Sequence, residues 1–293
     1  YINLRDAQLR LNVAKANLDI QRENLQIAIW RNSAGNGSAL EVEQARTSVA
    51  QTRAGIPVLE QSVSIAIHQI DVLMGRSPGS STALLMTPTP LLPTAPVAID
   101  VTLPAALLLR RPDVLSAQHS LAAEVIRIGV VQADLYPAIR LNGSLDTSSS
   151  TVAGLFDTSM ASLIGGVTAP IFQGGQIRAR IEQQKGAADA ALASYREAIL
   201  RALQDVENAL VAVRSSREHE KALIQAEKAA LASLHLAEIR YKSGAIDFQV
   251  LLDTQRSLLS VQNNRVSASA SRVTAAVQLF KALGGGWNTS RNL

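Results

Sequence analysis

The chain has 293 residues, a net charge of +4 and only 3% aromatic residues. So few aromatic residues favour closely packed helices over a globular core built around large rings. The positive charge is spread along the chain without a lysine or arginine run, which argues against nucleic acid as a partner. Because there is no cysteine, disulfides, thiol catalysis and cysteine metal sites are excluded.

The pattern of residues 1–75 predicts a helical hairpin. The chain starts at Tyr1, without methionine and already in helical register, which predicts an N-terminally truncated fragment. Leucines recur every seven residues along the first helix, a heptad seam that favours supercoiling against a neighbour. These residues are Leu4, Leu11, Leu18 and Leu25. The helix is expected to break at Gly35, and Ser38 is the predicted N-cap of the return helix, with Glu41 as its capping-box partner.

A proline-rich connector, residues 76–111, separates this hairpin from a helix predicted over residues 112–137. Pro112 suits the first turn of that helix, and Pro137 should end it. The connector includes the most apolar segment of the chain, but this segment contains several prolines. Each proline lacks a backbone N–H, so a backbone carbonyl of a helix in lipid would be left without a hydrogen-bond donor. The segment therefore cannot be a transmembrane helix.

A change to two-residue periodicity predicts a β-hairpin within residues 138–173. In "AIRLNGSLD" apolar residues alternate with a polar set, as in a strand with one dry and one wet face. The polar set is Arg140, Asn142, Ser144 and Asp146. The second strand, "SLIGGVTAPIF", is expected to place on one side Leu163, Val167, Ala169 and Ile171. Both strands have about the length that a membrane barrel requires, and the polar set would face its watery lumen. The alternative is a soluble edge hairpin lying on the helices.

Residues 174–283 predict a second, longer helical hairpin, followed by a tail over residues 284–293. Gly174 and Gly175 open a helix that runs to about Lys242, a length of about 67 residues or on the order of 100 Å. Its expected apolar seam is Ile199, Leu203, Val206, Leu210 and Val213. Such helices cannot bury themselves within one chain, so lateral association into a bundle or tube is expected.

The second hairpin is predicted to turn at Ser243 and Gly244, with Asp247 as the N-cap of its return helix. Adding 209 to positions in the first hairpin gives matching residues in the second: Arg31 falls on Arg240, Gly35 on Gly244 and Gly75 on Gly284. We therefore expect two copies of one helical hairpin, with the strand pair inserted before the second copy. The predicted fold class is mainly α with a small β part.

No pattern in the sequence predicts catalysis, a metal or a cofactor. The histidines form no HExxH or other ligand spacing. They are His68, His119, His219 and His235. The segment "GRSPGSS" lacks the Gly-Lys-Ser/Thr of a phosphate loop, and "FQGGQ" lacks the GxGxxG pattern. The chain is therefore expected not to be an enzyme.

Four stretches of the sequence resemble the TolC-like outer-membrane factors of Gram-negative tripartite efflux systems, in particular the NodT-type lipoprotein branch. They are "LLLRRPDVLSAQHSLAAEVIRIGVVQADLYPAIRLNGS", "APIFQGGQIRARIEQQKGAADAALASYREAILRALQDVENAL", "IRYKSGAIDFQVLLDTQRSLLSVQ" and "QLFKALGGGW". With the first hairpin they cover nearly the whole chain.

The resemblance implies a homotrimer with a twelve-stranded barrel in the lipid of the outer membrane and a helical tunnel extending into the periplasm. The coiled-coil hairpins would form the tunnel, and the connector and tail would belong to an equatorial belt. The protein would be a passive conduit of a tripartite efflux or type I secretion system. Its partners would be a periplasmic adaptor and an inner-membrane RND-type pump, and it would need no cofactor.

Particular residues acquire roles from the same resemblance. The two hairpin tips would dock the adaptor, and their residues are Arg31, Gly35, Ser38, Arg240, Tyr241, Ser243 and Gly244. The joints between tunnel helices and barrel strands would be Pro137, Pro170, Gly174 and Gly175.

Acidic residues beyond the second tip would form the periplasmic gate. The family pattern has two aspartates three residues apart; this sequence has Asp253 at the second position and Val250 at the first. Glu41 falls opposite Val250 under the 209-residue shift and keeps a negative charge there. The alternative is that Asp253 and Asp247 are only carboxylates near a helix start, which the helix dipole favours.

Two other classes of protein remain open from the sequence. A periplasmic adaptor also has a helical hairpin, but it should carry lipoyl-like β segments around a single hairpin. A structural coiled-coil scaffold would not need the alternating strand.

Overall fold

The computed structural model describes residues 1–86, 91–94, 110–147 and 159–285. Within these ranges the chain is mainly helical with one two-stranded antiparallel sheet, which confirms the predicted fold class. Much of the proline-rich connector and the tail from residue 286 onwards lie outside the described residues. Among the described residues two compact units are distinguished: unit 1 lies within residues 1–102 and 205–285, and unit 2 within residues 103–204.

The described elements follow the predicted order, apart from a short helix, Thr82–Leu85, within the predicted connector. They are α1 (Ile2–Ser33), α2 (Ala39–Leu73), α3 (Thr82–Leu85), α4 (Pro112–Ala133), β1 (Ala138–Thr147), β2 (Ser159–Thr168), α5 (Gln176–Lys242) and α6 (Phe248–Ala282).

The first hairpin of unit 1, formed by α1 and α2, packs along the predicted leucine seam. Leu4 and Leu11 are buried in an apolar cluster with Val63 and Ile67 of α2. Leu18 is also buried, whereas Leu25 is partly buried against a second cluster nearer the turn.

That second cluster joins the two hairpins of unit 1 near their turns. Its members come from α2, α5 and α6: Ala45, Leu234, Ala237, Tyr241, Phe248, Leu251, Leu252 and Leu258. Residues from three helices share one core, and Leu25 of α1 packs against it. The two turns are therefore held at the same end of unit 1.

The backbone of the two turns has the 209-residue repeat that the sequence predicts. Gly35 and Gly244 adopt φ values of +75° and +76°, a left-handed conformation that strains residues with a Cβ atom. The N–H of Asn36 donates to the carbonyl of Arg31 at 2.8 Å, and Ala245 donates to Arg240 at the same distance. The helices that follow, α2 and α6, have 35 residues each.

The return helices begin at the predicted residues, but their capping differs from the prediction. The Ser38 hydroxyl accepts a hydrogen bond from the N–H of Leu40 at 3.1 Å, which confirms Ser38 as an N-cap. The capping-box role of Glu41 is wrong, because its carboxylate binds the Tyr241 hydroxyl instead. Asp247 occupies the N-cap position of α6 but makes no side-chain cap hydrogen bond.

Unit 2 contains the antiparallel strand pair, in which Ile139 lies opposite Val167 and Asp146 opposite Met160. The second strand ends earlier than predicted, at Thr168, so Ala169 and Ile171 are not part of it. Pro170 accounts for this end, because proline has no N–H for the ladder and restricts the preceding residue.

Helix α4 ends at Ala133, four residues before the predicted stop at Pro137, and a turn follows. Among the described helices it is the one long and apolar enough to cross a membrane by length and composition. Its Glu124 carboxylate, however, accepts a hydrogen bond at 2.7 Å from the Gln184 amide of α5. This contact places α4 beside another helix within unit 2.

The buried face of α5 differs from the predicted seam. Val206 is buried as predicted, but Leu203 is 43% exposed, and Ala202 and Ala209 are buried instead. Alanine permits a closer approach of neighbouring backbone than leucine, and the Ala202 carbonyl lies 3.5 Å from the Arg111 guanidinium. Helix α5 begins at Gln176, just after the two glycines predicted to open it.

Candidate functional site

An arginine of the first turn contacts a tyrosine of the second. The Arg31 guanidinium donates hydrogen bonds to the backbone carbonyl of Tyr241 and, at 3.1 Å, to that of Asn36. Its central carbon lies 4.5 Å from the centroid of the Tyr241 ring, which adds a cation–π contact. One arginine thus bridges both hairpins.

The hydroxyl of Tyr241 makes a second link between the hairpins. It donates a hydrogen bond of 2.8 Å to the Glu41 carboxylate, and its ring packs against Phe248 with centroids 5.3 Å apart. Burial, followed by the hydrogen bond to Glu41 and the charge of Glu41, raises the pKa of Tyr241 well above its usual value. The phenol therefore stays neutral and remains a hydrogen-bond donor. We call Arg31, Glu41, Tyr241 and Phe248 the tip cluster.

Six of the seven residues predicted to dock an adaptor lie at the turns and are at least partly accessible. These are Arg31, which is partly buried, and the exposed Gly35, Ser38, Arg240, Ser243 and Gly244. Tyr241 is 1% exposed, which contradicts its predicted place on the docking surface. The sequence did carry a signal for its burial, because Tyr241 follows Leu234 by seven residues and so continues a heptad core position.

Sequence reasoning missed exposed apolar residues beside both turns. Trp30 is 64% exposed and precedes Arg31, and Leu40 is 65% exposed just after the first turn. The equivalent of Trp30 in the second hairpin, Ile239, is 52% exposed. Their signal was the presence of large apolar side chains next to glycine turns, and Trp30 is one of two tryptophans in the chain.

The predicted gate residues do not meet one another in unit 1. Asp253 is exposed and accepts hydrogen bonds from the Gln249 amide at 3.0 Å and the Arg256 guanidinium at 3.4 Å. With Val250 it lines a shallow groove against α5. Glu41 instead belongs to the tip cluster, and no described contact joins it to Asp253.

The strand pair separates its side chains by face, as predicted. One face carries exposed apolar residues: Ile139, Leu141, Leu145, Leu163 and Val167. The other carries the predicted polar set, and there the Ser144 hydroxyl lies 2.8 Å from that of Ser162 and 3.2 Å from the Asp146 carboxylate. This second face is not wholly polar, because Ile164 and Met160 also belong to it.

The predicted joints lie where helices and strands meet. Pro137 directly precedes β1, and Pro170 follows β2 by two residues. Gly174 and Gly175 adopt φ values of +56° and +86° directly before α5, so the chain changes direction there in a conformation that favours glycine.

Residues 103–285 match the family model described as "Outer membrane efflux protein". This match covers more than half of the chain, and the chain belongs to that family.

The chain is similar to curated relatives over nearly its whole length. It is 33% identical to "Outer membrane protein OprJ" of Pseudomonas aeruginosa over 304 residues, which is 100% of the chain and 61% of the relative. It is 31% identical to "Nodulation protein T" of Rhizobium leguminosarum bv. trifolii, over 98% of the chain and 62% of the relative. The chain thus spans about three fifths of the length of these relatives.

Solved structures have the same fold. The outer-membrane channel OprN matches with a TM-score of 0.85 and 35% identity, over 98% of this chain and 64% of that one. The open state of the Neisseria gonorrhoeae MtrE outer-membrane channel matches with a TM-score of 0.76 and 28% identity, over 100% of this chain and 66% of that one.

Proposed function

We propose that the chain is part of the outer-membrane channel subunit of a tripartite efflux system. The subunit acts as a passive, non-catalytic conduit in the outer membrane and extends into the periplasm. Membership of the outer membrane efflux protein family supports this function, as does the likeness to the channels OprN and MtrE. An adaptor or a coiled-coil scaffold would leave the strand pair without a role.

The apolar face of the strand pair is the observation that carries the proposal. Ile139 is 82% exposed and Leu163 is 72% exposed on strands of ten residues each. Ten residues are about what a tilted strand needs to cross a membrane. Two strands leave their outer edges unpaired, and in lipid only a closed barrel satisfies every backbone group. The strands are therefore completed by other chain segments or subunits, and the conduit is a homotrimer.

The opposite face of the strand pair then lines the lumen of the barrel. Ser144 and Asp146 are hydrogen-bonded to each other there, and Arg140 and Asn142 lie on the same side. Charged and amide side chains remain hydrated in a water-filled lumen. Facing lipid they would lose that hydration, which would destabilise the barrel.

The hairpin tips are the docking surface for a periplasmic adaptor, which in turn connects to an inner-membrane RND-type pump. The exposed surface comprises Arg240, Ser243 and Gly244 with Trp30 and Leu40, and Tyr241 lies beneath it. Partly apolar surfaces with an aromatic residue and an arginine are typical centres of protein interfaces.

A gate role for Asp253 follows from threefold assembly, which would bring three copies of this exposed carboxylate near one axis. Like charges there raise the free energy of a closed entrance unless they are hydrogen-bonded or screened. Gln249 and Arg256 already bind Asp253 within one chain and reduce that cost.

The conduit proposal is tested on the full-length protein produced in a Gram-negative host that lacks its own outer-membrane factor. We expect it in the outer-membrane fraction as a trimer that dissociates on heating, and we expect restored resistance when adaptor and pump are also supplied. A soluble monomer, or resistance that stays absent with all three components, would overturn the proposal.

Docking is tested separately by cross-linking, for which the chain is convenient because it contains no cysteine. Ser243→Cys at the tip should form a cross-link to the adaptor through a short bifunctional reagent. Ser194→Cys, also an exposed serine but within α5, is the matched control and should not. Equal cross-linking from both positions would contradict the assignment of the tips.

A further inference from the structure

Four amide side chains buried in unit 1 each have at least one polar atom without a hydrogen-bond partner. Asn17, Gln21 and Asn24 of α1 are 2%, 6% and 5% exposed, and Gln255 of α6 is 2% exposed. The atoms without a partner are Asn17 Oδ1, Gln21 Oε1, Asn24 Nδ2, and both Nε2 and Oε1 of Gln255. Native interiors rarely leave buried polar groups unpaired, so this set calls for a ligand.

The packing of α1 on α6 places three of these amides at one level. Arg10 of α1 hydrogen-bonds Ser267 of α6, and Leu25 packs on the cluster that contains Leu252, so the helices run antiparallel. Gln255 precedes Ser267 by 12 residues, while Gln21 and Asn24 follow Arg10 by 11 and 14 residues. At 1.5 Å per residue their levels agree to within about 3 Å.

The unpaired atoms include both donors and acceptors, which determines the chemistry of the ligand. Gln255 offers a free N–H₂ donor and a free carbonyl acceptor, whichever way its amide is turned. A cation would satisfy only the oxygens and would oppose the N–H groups. Water donates and accepts, and buried water typically makes about three hydrogen bonds to otherwise unpaired groups.

We propose that this amide layer, Gln21, Asn24 and Gln255, is a buried water site between the two hairpins. Bound water accepts a hydrogen bond from an amide N–H of one helix and donates to an amide oxygen of the other. Asn17, one turn from Gln21 on α1, extends the site along the same helix.

Buried leucines flank Gln255 of the amide layer along α6. On α6, Leu251 lies four residues before Gln255 and Leu258 three residues after it, and they are 0% and 1% exposed. The unpaired atoms of Gln21, Asn24 and Gln255 are themselves buried in unit 1, so surface water does not satisfy them. Water held there has protein partners on both helices, which favours order over exchange.

A structure of the full-length protein that resolves ordered water tests the site directly. We expect water density within hydrogen-bonding distance, about 2.7 to 3.2 Å, of the Gln255 amide and of Gln21 or Asn24. The proposal fails if these amides bond directly to one another, if the space between them is empty, or if a cation with only oxygen ligands occupies it.

X-ray hydroxyl-radical labelling of the same protein gives a second readout, because radicals formed from bound water label adjacent buried side chains. Leu258, beside the amide layer, should be labelled, whereas Leu4, equally buried in the apolar cluster of the first hairpin, should not. Gln255→Met keeps the side-chain length and removes both polar atoms, so it should lower labelling of Leu258 several-fold. Unchanged labelling in this variant, or equal labelling of both leucines in the unaltered protein, would contradict the proposal.

Discussion

The two hairpins of unit 1 have matching turns and return helices of equal length, but different interiors. In the first, Leu11 packs with Val63 in an apolar cluster. Under the 209-residue shift these positions become Glu220 and Arg272 in the second hairpin, which form an ion pair at 2.7 Å. The two copies therefore share their glycine turns and the length of their return helices. The residues between the helices differ, because an apolar pair in the first hairpin is replaced by an ion pair in the second.

The next turn of each hairpin repeats this contrast. Leu18 is buried in the first hairpin, and its equivalent Glu227 pairs with Arg265 at 2.6 Å in the second. Between α1 and α2 of the first hairpin, Lys15 pairs with Glu60 at the surface, where each side chain is 51% exposed. Partly buried ion pairs lose hydration free energy and contribute less net stability than well-packed apolar pairs. The second hairpin is therefore expected to be the less stable copy.

The largest expected effect comes from opening the apolar seam. Leu11→Ala should lower the free energy of unfolding by about 3 kcal/mol, because it removes buried methyl groups and leaves a cavity. The measurement is denaturant-induced unfolding of the full-length protein. The control is Leu40→Ala, whose side chain is 65% exposed and whose loss should cost less than about 0.5 kcal/mol. Equal losses in both variants would mean that the seam does not stabilise the hairpin.

Replacing the ion pair of the second hairpin by the apolar pair of the first tests whether the two seams are equivalent. Glu220→Leu alone should destabilise by about 2 kcal/mol, since it leaves Arg272 unpaired in a partly buried position. Glu220→Leu combined with Arg272→Val restores the residue types of the first hairpin and should be neutral or stabilising by about 1 kcal/mol. The same unfolding measurement decides, and a double variant less stable than the single one would contradict the equivalence of the two seams.

The tips also differ, because the first tip supplies the arginine and the second the tyrosine of the contact between them, and the equivalent residues, both within the described ranges, make no such contact. Arg31 reaches Tyr241, whereas the equivalent pair, Arg240 and Asn32, is exposed. Tyr241→Phe keeps the ring and removes the hydroxyl that binds Glu41, so it should cost about 1 kcal/mol. Hydrogen exchange at the two turns measures the loss, which should affect both. Asn32→Ala is the control and should leave exchange at the second turn unchanged.

Local sequence signals predicted the backbone better than the side-chain contacts. Gly35 and Gly244 marked the turns because left-handed backbone favours glycine, and alternation located β1 because strand side chains point alternately to two faces. The end of β2 was missed although Pro170 signalled it, since the apolar pattern continued past the proline.

Contacts between distant segments could not be predicted from periodicity. Glu220 and Arg272 are 52 residues apart, and only the alignment of α5 with α6 shows that they pair. Gln21 and Gln255 occupy buried positions that their polarity would assign to the surface. The tip cluster could be predicted in part, because the heptad position of Tyr241 indicated that it is buried. Its partners Arg31 and Glu41 could not be predicted, because they lie in the other hairpin.

The smallest expected difference between the hairpins is their response to acid. Burial alone would raise the pKa of Glu220, but hydrogen bonds from Ser269 and Arg272 and the charges of Arg272 and Arg265 outweigh it and lower that pKa. A lowered pKa contributes stability above the unfolded-state value of about 4.3, and that stability is lost as the pH falls through the folded-state pKa. Leu11 and Val63 have no titrating group at the equivalent positions.

Hydrogen exchange at pH 7 and at about pH 3.5, corrected for intrinsic rates, should therefore show protection lost preferentially along the seam of α5 and α6. The comparison uses peptides from the helix seams, because the loop after α2 is itself acid-sensitive: the Ser81 side chain and the backbone N–H of Gly79 lower the pKa of Asp71. Glu220→Leu with Arg272→Val should abolish most of the preference, since it removes the titrating pair. Equal loss of protection in both seams, or a preference that persists in this variant, would show that the ion pair does not distinguish the two copies.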